Sequence, residues 1–166
     1  MTKTRGFEVV SNAHRQHVQE ATVFGKVQVQ YAEITLPIRA DRRSAGYDMY
    51  LPQDVLLLPA QKIIIWSDVK AFMQEDEYVA LHIRSSLGIK QGIILSNITG
   101  IVDSSYYNNP ANDGNIGFAL LNTSGKGVQL KAGERICQAI FQKYLLADND
   151  NVLAEERLGG SGSSGK

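Results

Sequence analysis

The sequence predicts an all-β barrel or sandwich, and three observations carry that reading. Short apolar runs recur at residues 47–51, 55–58, 62–66, 69–73 and 78–83. Turn formers separate them: Pro52, then Pro59-Ala60-Gln61-Lys62, then acidic Glu75-Asp76-Glu77. Almost no stretch repeats its apolar residues with the helical period. Short runs between regularly spaced turn signals are the pattern of antiparallel β architectures.

Taken in order, the chain supports this element by element. Phe7, Val9 and Val10 suit a short strand. Residues 11–20 are polar and read as a loop or a short helix. His14 and His17 stand three apart, a spacing that binds metal on a helix. His82 is the only other histidine, so a solvated loop is the default there. From 26 to 36 apolar residues alternate (Val27, Val29, Tyr31), which is the pattern of a half-buried strand. Pro37 ends it, and the charged residues 39–44 read as a loop. Only residues 85–90 suggest a helical turn.

Residues 92–122 are the most informative stretch. Ile93, Ile94 and Leu95 lead to Asn97; Gly100 precedes Ile101 and Val102, which end in Asp103. Two tyrosines and a loop of Asn, Pro, Asp and Gly follow, and the chain returns through residues 116–121. This reads as strand, long turn, strand, with Pro110 and Gly114 in the turn and Asp103 on the first arm. Residues 128–130 and 136–146 then read as strands around a turn at 131–134. Beyond 147 the composition becomes polar, acidic, and finally Gly- and Ser-rich. The expected organisation is a barrel domain, 1–148, and a flexible C-terminal arm, 149–166.

Composition sets outer limits. A chain of 166 residues suits one domain with a sizeable core. Lys plus Arg and Asp plus Glu are each 17, so the net charge is zero. That gives no electrostatic case for nucleic acid or a membrane as partner, yet a small anion needs only a few local cations. No run approaches the roughly 18 apolar residues needed to cross a bilayer, and residues 1–12 lack a signal-peptide core. The single Cys137 excludes an internal disulfide and fits a reducing, cytoplasmic setting; its apolar neighbours mark it as core rather than nucleophile.

Two groups of residues suggest chemistry. A carboxylate fixed on a strand, such as Asp103, can activate a water. The local pattern alone favours an ordinary turn residue. Arg84, Ser85 and Ser86 place a cation beside two hydroxyls at the mouth of a possible helical turn, where backbone N–H groups favour anions. A surface Arg beside a helix cap fits the same residues.

Five stretches change that balance. They are Ala45-Gly46-Tyr47-Asp48, Arg84-Ser85-Ser86-Leu87-Gly88, residues 92–122, Gly133-Glu134-Arg135-Ile136-Cys137-Gln138 and the tail 157–165. In order and approximate spacing they resemble the five motifs of the trimeric dUTPase family. The longer hairpin resembles members from Gram-positive bacteria and their phages, and the likeness covers nearly the whole chain. It implies a jelly-roll-like β-barrel and a homotrimer with shared sites. It also implies Mg²⁺-dependent hydrolysis of dUTP to dUMP and pyrophosphate, which limits uracil in DNA and supplies dUMP for thymidylate synthesis.

The resemblance also implies roles. Asp103 orients the water that attacks the α-phosphorus, and Asp48 holds waters on the Mg²⁺. Arg84, Ser85, Ser86 and Gln138 contact phosphates, while Arg135 pairs with a carboxylate. Asn97, Gly100, Asn115 and Ile116 belong to the uracil pocket, and Tyr106 lies beneath the deoxyribose, leaving no room for a 2′-hydroxyl; Tyr107 is the alternative packing tyrosine. Arg157, Gly160, Ser161, Ser163 and Ser164 form the closing arm. Ser161 stands where the family has an aromatic residue, which implies weaker closure over the base. Backbone groups in fixed order would accept uracil and leave unpaired polar groups against cytosine. A deaminase on the same fold needs a glutamate on the returning arm, and no Glu occurs from Asn109 to Gly133. A phage-type member kept as a protein-binding regulator with weak catalysis is the remaining alternative.

Overall fold

Apolar alternation and frequent turns do produce an all-β chain. The computed structural model describes residues 3–23 and 26–152, with the side chains of 19–31 outside that description. Among the described residues are fourteen strands and one α-helix. In chain order the strands are β1 (Gly6–Val9), β2 (Val18–Val23), β3 (Lys26–Tyr31), β4 (Ile38–Arg39), β5 (Tyr47–Tyr50), β6 (Val55–Leu57), β7 (Lys62–Trp66), β8 (Val69–Phe72) and β9 (Glu77–Ile83). Helix α1 (Ser85–Gln91) follows, then β10 (Ile93–Leu95), β11 (Gly100–Asp103), β12 (Gly117–Asn122), β13 (Val128–Leu130) and β14 (Arg135–Lys143).

All pairing is antiparallel, so each strand can bury alternate residues. The largest sheet runs β11-β9-β14-β5-β4, and a second runs β10-β12-β7. The pairs β1-β8, β13-β6 and β2-β3 complete the set. β12 shows the alternation plainly: Phe118, Leu120 and Asn122 point inward, Gly117, Ala119 and Leu121 outward. Met49, Leu57, Ile93, Phe118, Leu120, Leu130 and Ile136 form one buried core with Cys137. Burial pushes the Cys137 thiol pKa up, so it packs as a small apolar side chain. Helix α1 stops at Gly92, whose left-handed φ of 69° lets its N–H reach Leu87 O.

Two expectations are corrected. Residues 11–20 are neither wholly loop nor helix: a 3-10 turn spans Asn12–His14, and β2 then pairs with β3. The polar sequence of β2 gave no strand signal, because its conformation follows from its partner. The expected half-burial of Val27, Val29 and Tyr31 concerns side chains outside the described ones. The long hairpin is also more than a ribbon. β10 and β12 pair as expected, Ile93 opposite Asn122 and Leu95 opposite Leu120. β11 departs to pair with β9, placing Gly100 opposite Leu81 and Asp103 opposite Tyr78. Gly100 permits that pairing, since a Cβ there would lie 3.0 Å from the Leu81 side chain. Asp103 therefore ends an edge strand of the large sheet instead of facing β12. No helix among the described residues is long and apolar enough to cross a membrane.

Candidate active site

Three of the sequence motifs meet at one end of β9. Asp48 lies on β5 and is 2% exposed. Arg84, between β9 and α1, donates from Nη1 to Asp48 Oδ1 at 2.7 Å. Arg135 donates from Nη1 to Asp48 Oδ2 at 3.2 Å, and Gln138 Nε2 reaches Oδ1 at 3.5 Å. Arg135 thus pairs with a carboxylate, as expected. The Arg84 backbone is fixed as well, its N–H donating to Ile136 O at 3.0 Å. One buried carboxylate between two guanidinium groups leaves a net positive cluster. Ser85 and Ser86 open α1 beside it, both exposed. A cavity of about 480 Å³ lies over this cluster, lined by Tyr50, Arg84, Ser86, Gly133 and Arg135 among others. Cations, hydroxyls and open space together suit a polyanion.

The third motif lies elsewhere. Asp103 is exposed and borders a cavity of about 290 Å³ with Tyr78, Ile101 and Tyr144. Asp103 faces Tyr78 across the sheet, whereas Arg84 follows the far end of β9. At roughly 3.3 Å per residue, the two lie about 20 Å apart. Within one chain the carboxylate and the cationic cluster cannot act on the same phosphate.

The residues expected to meet base and sugar divide into accessible and structural ones. Asn97 is exposed in the turn after β10, where β-branched Ile98 is held at a φ of 67°. Such strain persists where surrounding structure over-determines it. Tyr106 is 5% exposed; its hydroxyl donates to Asn115 O at 2.9 Å and accepts from Asn112 Nδ2 at 2.6 Å. Tyr107 is a packing residue: its ring centre is 6.0 Å from that of Phe72, and its hydroxyl donates to Glu8 at 2.7 Å.

Asn115 and Ile116 are buried, and their polar groups are engaged within the chain. The Asn115 side-chain oxygen accepts from Asp68 N, and its Nδ2 donates to Asp68 Oδ1, both at 2.9 Å. Ile116 is buried, with its N–H donating to Val69 O and its carbonyl accepting from Ser67 N, both at 2.9 Å. Their polar groups hold the loop to the β7–β8 turn. The arm residues Arg157, Gly160, Ser161, Ser163 and Ser164 lie outside the described residues. His14 and His17 do not converge as ligands: His14 Nδ1 is 3.1 Å from Ser11 Oγ, and His17 Nε2 is 2.6 Å from Trp66 O.

Sequence reasoning missed the buried ions beneath the loop. Lys70 Nζ lies 3.0 Å from Asp113 Oδ1 and 2.6 Å from Asn108 Oδ1. Burial alone would raise the Asp113 pKa, but the Ser11 N–H and the Lys70 ammonium outweigh it and hold it low. Asp68 and Lys70 sit inside the apolar stretch 63–71, and polar residues in such a run were the available signal.

An all-β fold carrying a cationic cluster beside an open cavity and a separate exposed carboxylate suits a hydrolase of an anionic substrate. Comparison with known proteins makes this specific. A family model described as dUTPase matches residues 32–165, and the chain belongs to the dUTPase family, whose activity is dUTP hydrolysis. It is 37% identical over 164 residues to the deoxyuridine 5'-triphosphate nucleotidohydrolase of Lactococcus lactis, covering 98% of this chain and 99% of that one. The dUTPase from Streptococcus mutans superposes with a TM-score of 0.68 at 32% identity, covering 86% of this chain and 98% of that one. A mutant dUTPase from phage phi11 of S. aureus, whose structure reveals the coordination of a structural Mg(II) ion, gives 0.64 at 19% identity over 93% of this chain and 100% of that one. The fold is accordingly the jelly-roll of this family.

Proposed function

We propose that the chain hydrolyses dUTP to dUMP and pyrophosphate in a homotrimer whose sites are shared between subunits. One copy would supply Arg84, Ser85, Ser86 and Gln138 to the phosphates, and a second would supply Asp103 to the attacking water. The observation behind this is the placement of the two half-sites at opposite ends of β9. Exposed apolar side chains on the sheet faces support self-association; Leu56, Leu58 and Ile64 are 54%, 55% and 60% exposed. Residues 149–166 would form the arm that closes the site. The buried, unreactive Cys137 suits an enzyme of the reducing cytoplasm.

Asp103 acts as general base, aligning a water for attack on the α-phosphorus and accepting its proton. Arg84 offsets charge on the phosphate oxygens, and Gln138 orients them. Tyr106 lies beneath the deoxyribose, and the main chain near Asn97 and Gly100 reads the base. Mg²⁺ fits this site in one form only. No cluster of three or more His, Cys, Asp or Glu occurs among the described residues, and both Asp48 oxygens accept from arginines. Mg²⁺ takes few protein ligands and keeps several waters, so Asp48 would hold it through water while substrate oxygens bind it directly. When bound, the ion neutralises phosphate charge. A purely regulatory role is not favoured, because the relatives matched over nearly the full length are hydrolases by name.

Subunit complementation tests the reading. Asp103→Asn and Arg84→Ala should each lose about 10²–10⁴-fold in pyrophosphate release from dUTP, the span of a general base. Co-assembled, they should recover a measurable fraction, because some sites then receive both native groups. Asp103→Asn retaining full turnover, or folded mixed assemblies staying inactive, would overturn it.

A further inference from the structure

We propose that Arg15 is a positioning residue for sugar discrimination, acting through Asp68 and Asn115 on Tyr106. Arg15 belongs to a segment that precedes the family match, which begins at residue 32. That segment is nevertheless built into the pocket's support. Asp68 is 0% exposed and sits in the β7–β8 turn with a left-handed φ of 58°. It accepts the Gln16 N–H at 2.9 Å and the His17 N–H at 3.0 Å. Arg15 Nε lies 3.2 Å from Asp68 Oδ2, with its side chain 8% exposed, and its Nη2 donates to the Ala32 carbonyl. A buried carboxylate held in a strained turn needs such a counter-charge.

The other side of Asp68 grips the pocket loop. Its N–H and its Oδ1 hold the two ends of the Asn115 amide, a two-point clamp that fixes the amide's orientation. The Asn115 carbonyl, fixed with it, accepts the Tyr106 hydroxyl at 2.9 Å. The links run Arg15, Asp68, Asn115, Tyr106, and each is buried or nearly so. Without the Arg15 charge, Asp68 keeps its N–H donors but loses its counter-ion and draws in water. The clamp on Asn115 then loosens, and the Tyr106 ring loses its stop. The inference rests on the reading that Tyr106 lies beneath the deoxyribose.

The test is the ratio of kcat/KM for dUTP to that for UTP. Arg15→Leu should lower the ratio about tenfold, the equivalent of one hydrogen bond. Arg15→Lys, which keeps the charge but loses the fork, should restore part of it. In a Tyr106→Phe background, which lacks the terminal hydroxyl, Arg15→Leu should lower the ratio no further. If Arg15→Leu does not fold, judged by its melting, Arg15→Gln replaces it with the same expectations. A variant that slows both nucleotides equally, or leaves the ratio alone, shows a merely structural role and overturns the proposal. Independent, multiplying effects in the double variant do the same. Tyr106→Ala separates the two readings. An unchanged ratio there means that the sugar reading itself fails, whereas a lowered ratio with Arg15→Leu silent means that only the relay fails.

Discussion

Gly46 has no side chain where Gln138 already occupies the space: a Cβ would lie 2.9 Å from Gln138 Cβ. That atom sits next to the backbone and cannot swing away. Gly46→Ala should therefore push Gln138 off Asp48 and out of the cationic cluster, at an overpacking cost of about 1–3 kcal/mol. The expected result is a kcat/KM for dUTP lowered about tenfold in a pyrophosphate-release assay, with the fold retained. Wild-type turnover would mean that Gln138 has no phosphate role. At this scale the sequence was a good guide to the cationic cluster, because Asp48, Arg84, Arg135 and Gln138 each stand in a recognisable local motif. It was silent on what holds Asn115 and Ile116 in place. Their partners, Asp68 and Val69, are 47 residues away, and nothing in the local pattern reveals that their polar groups are already engaged.

At the scale of elements, the loop 108–115 is a structured platform. Asn109 Nδ2 donates to Tyr106 O at 2.8 Å, and Asn109 Oδ1 accepts the Ala111 N–H at 3.1 Å. Gly114 closes the loop with a φ of 80°, and a Cβ there would meet Tyr106 O at 2.8 Å. Conformation and space both demand glycine. Gly114→Ala should cost about 2 kcal/mol or more, read as a lower urea midpoint at unchanged m. A midpoint shift near zero would show that the loop relaxes freely and does not fix Tyr106. The strands themselves were legible, since alternation and turns mark β5 to β9 within a residue or two. The destination of β11 was not. Gly100–Asp103 reads the same locally whether it pairs with β12 or β9, and long-range packing against Leu81 decides.

For the whole molecule, acidity should act first on the N-terminal segment. Glu77 accepts from Arg5 at 2.6 and 3.1 Å and from the Gln74 N–H at 3.1 Å; the Arg5 bond leads in holding its pKa below the usual 4.5. Glu8 is lowered by Lys3 and then by Tyr107, and Asp113 is held low against burial by Ser11 and Lys70. Each of these pKa values is lower folded than unfolded. Their contribution is complete above the ordinary carboxylate range and disappears as pH falls through the lowered folded values. All three tie residues 3–11 to β8, β9, Tyr107 or the loop 108–115. Below about pH 4.5, amides of β1 and its partner β8 should lose hydrogen-exchange protection before those of β9 and β14. Glu77→Gln should flatten the acid limb of melting temperature against pH. An unchanged limb would assign the acid sensitivity to Glu8 and Asp113. Because Arg15 belongs to the same N-terminal segment, acid that loosens that segment should also lower the dUTP-to-UTP preference before the barrel unfolds, joining the stability of the N-terminus to the selectivity of the loop it supports.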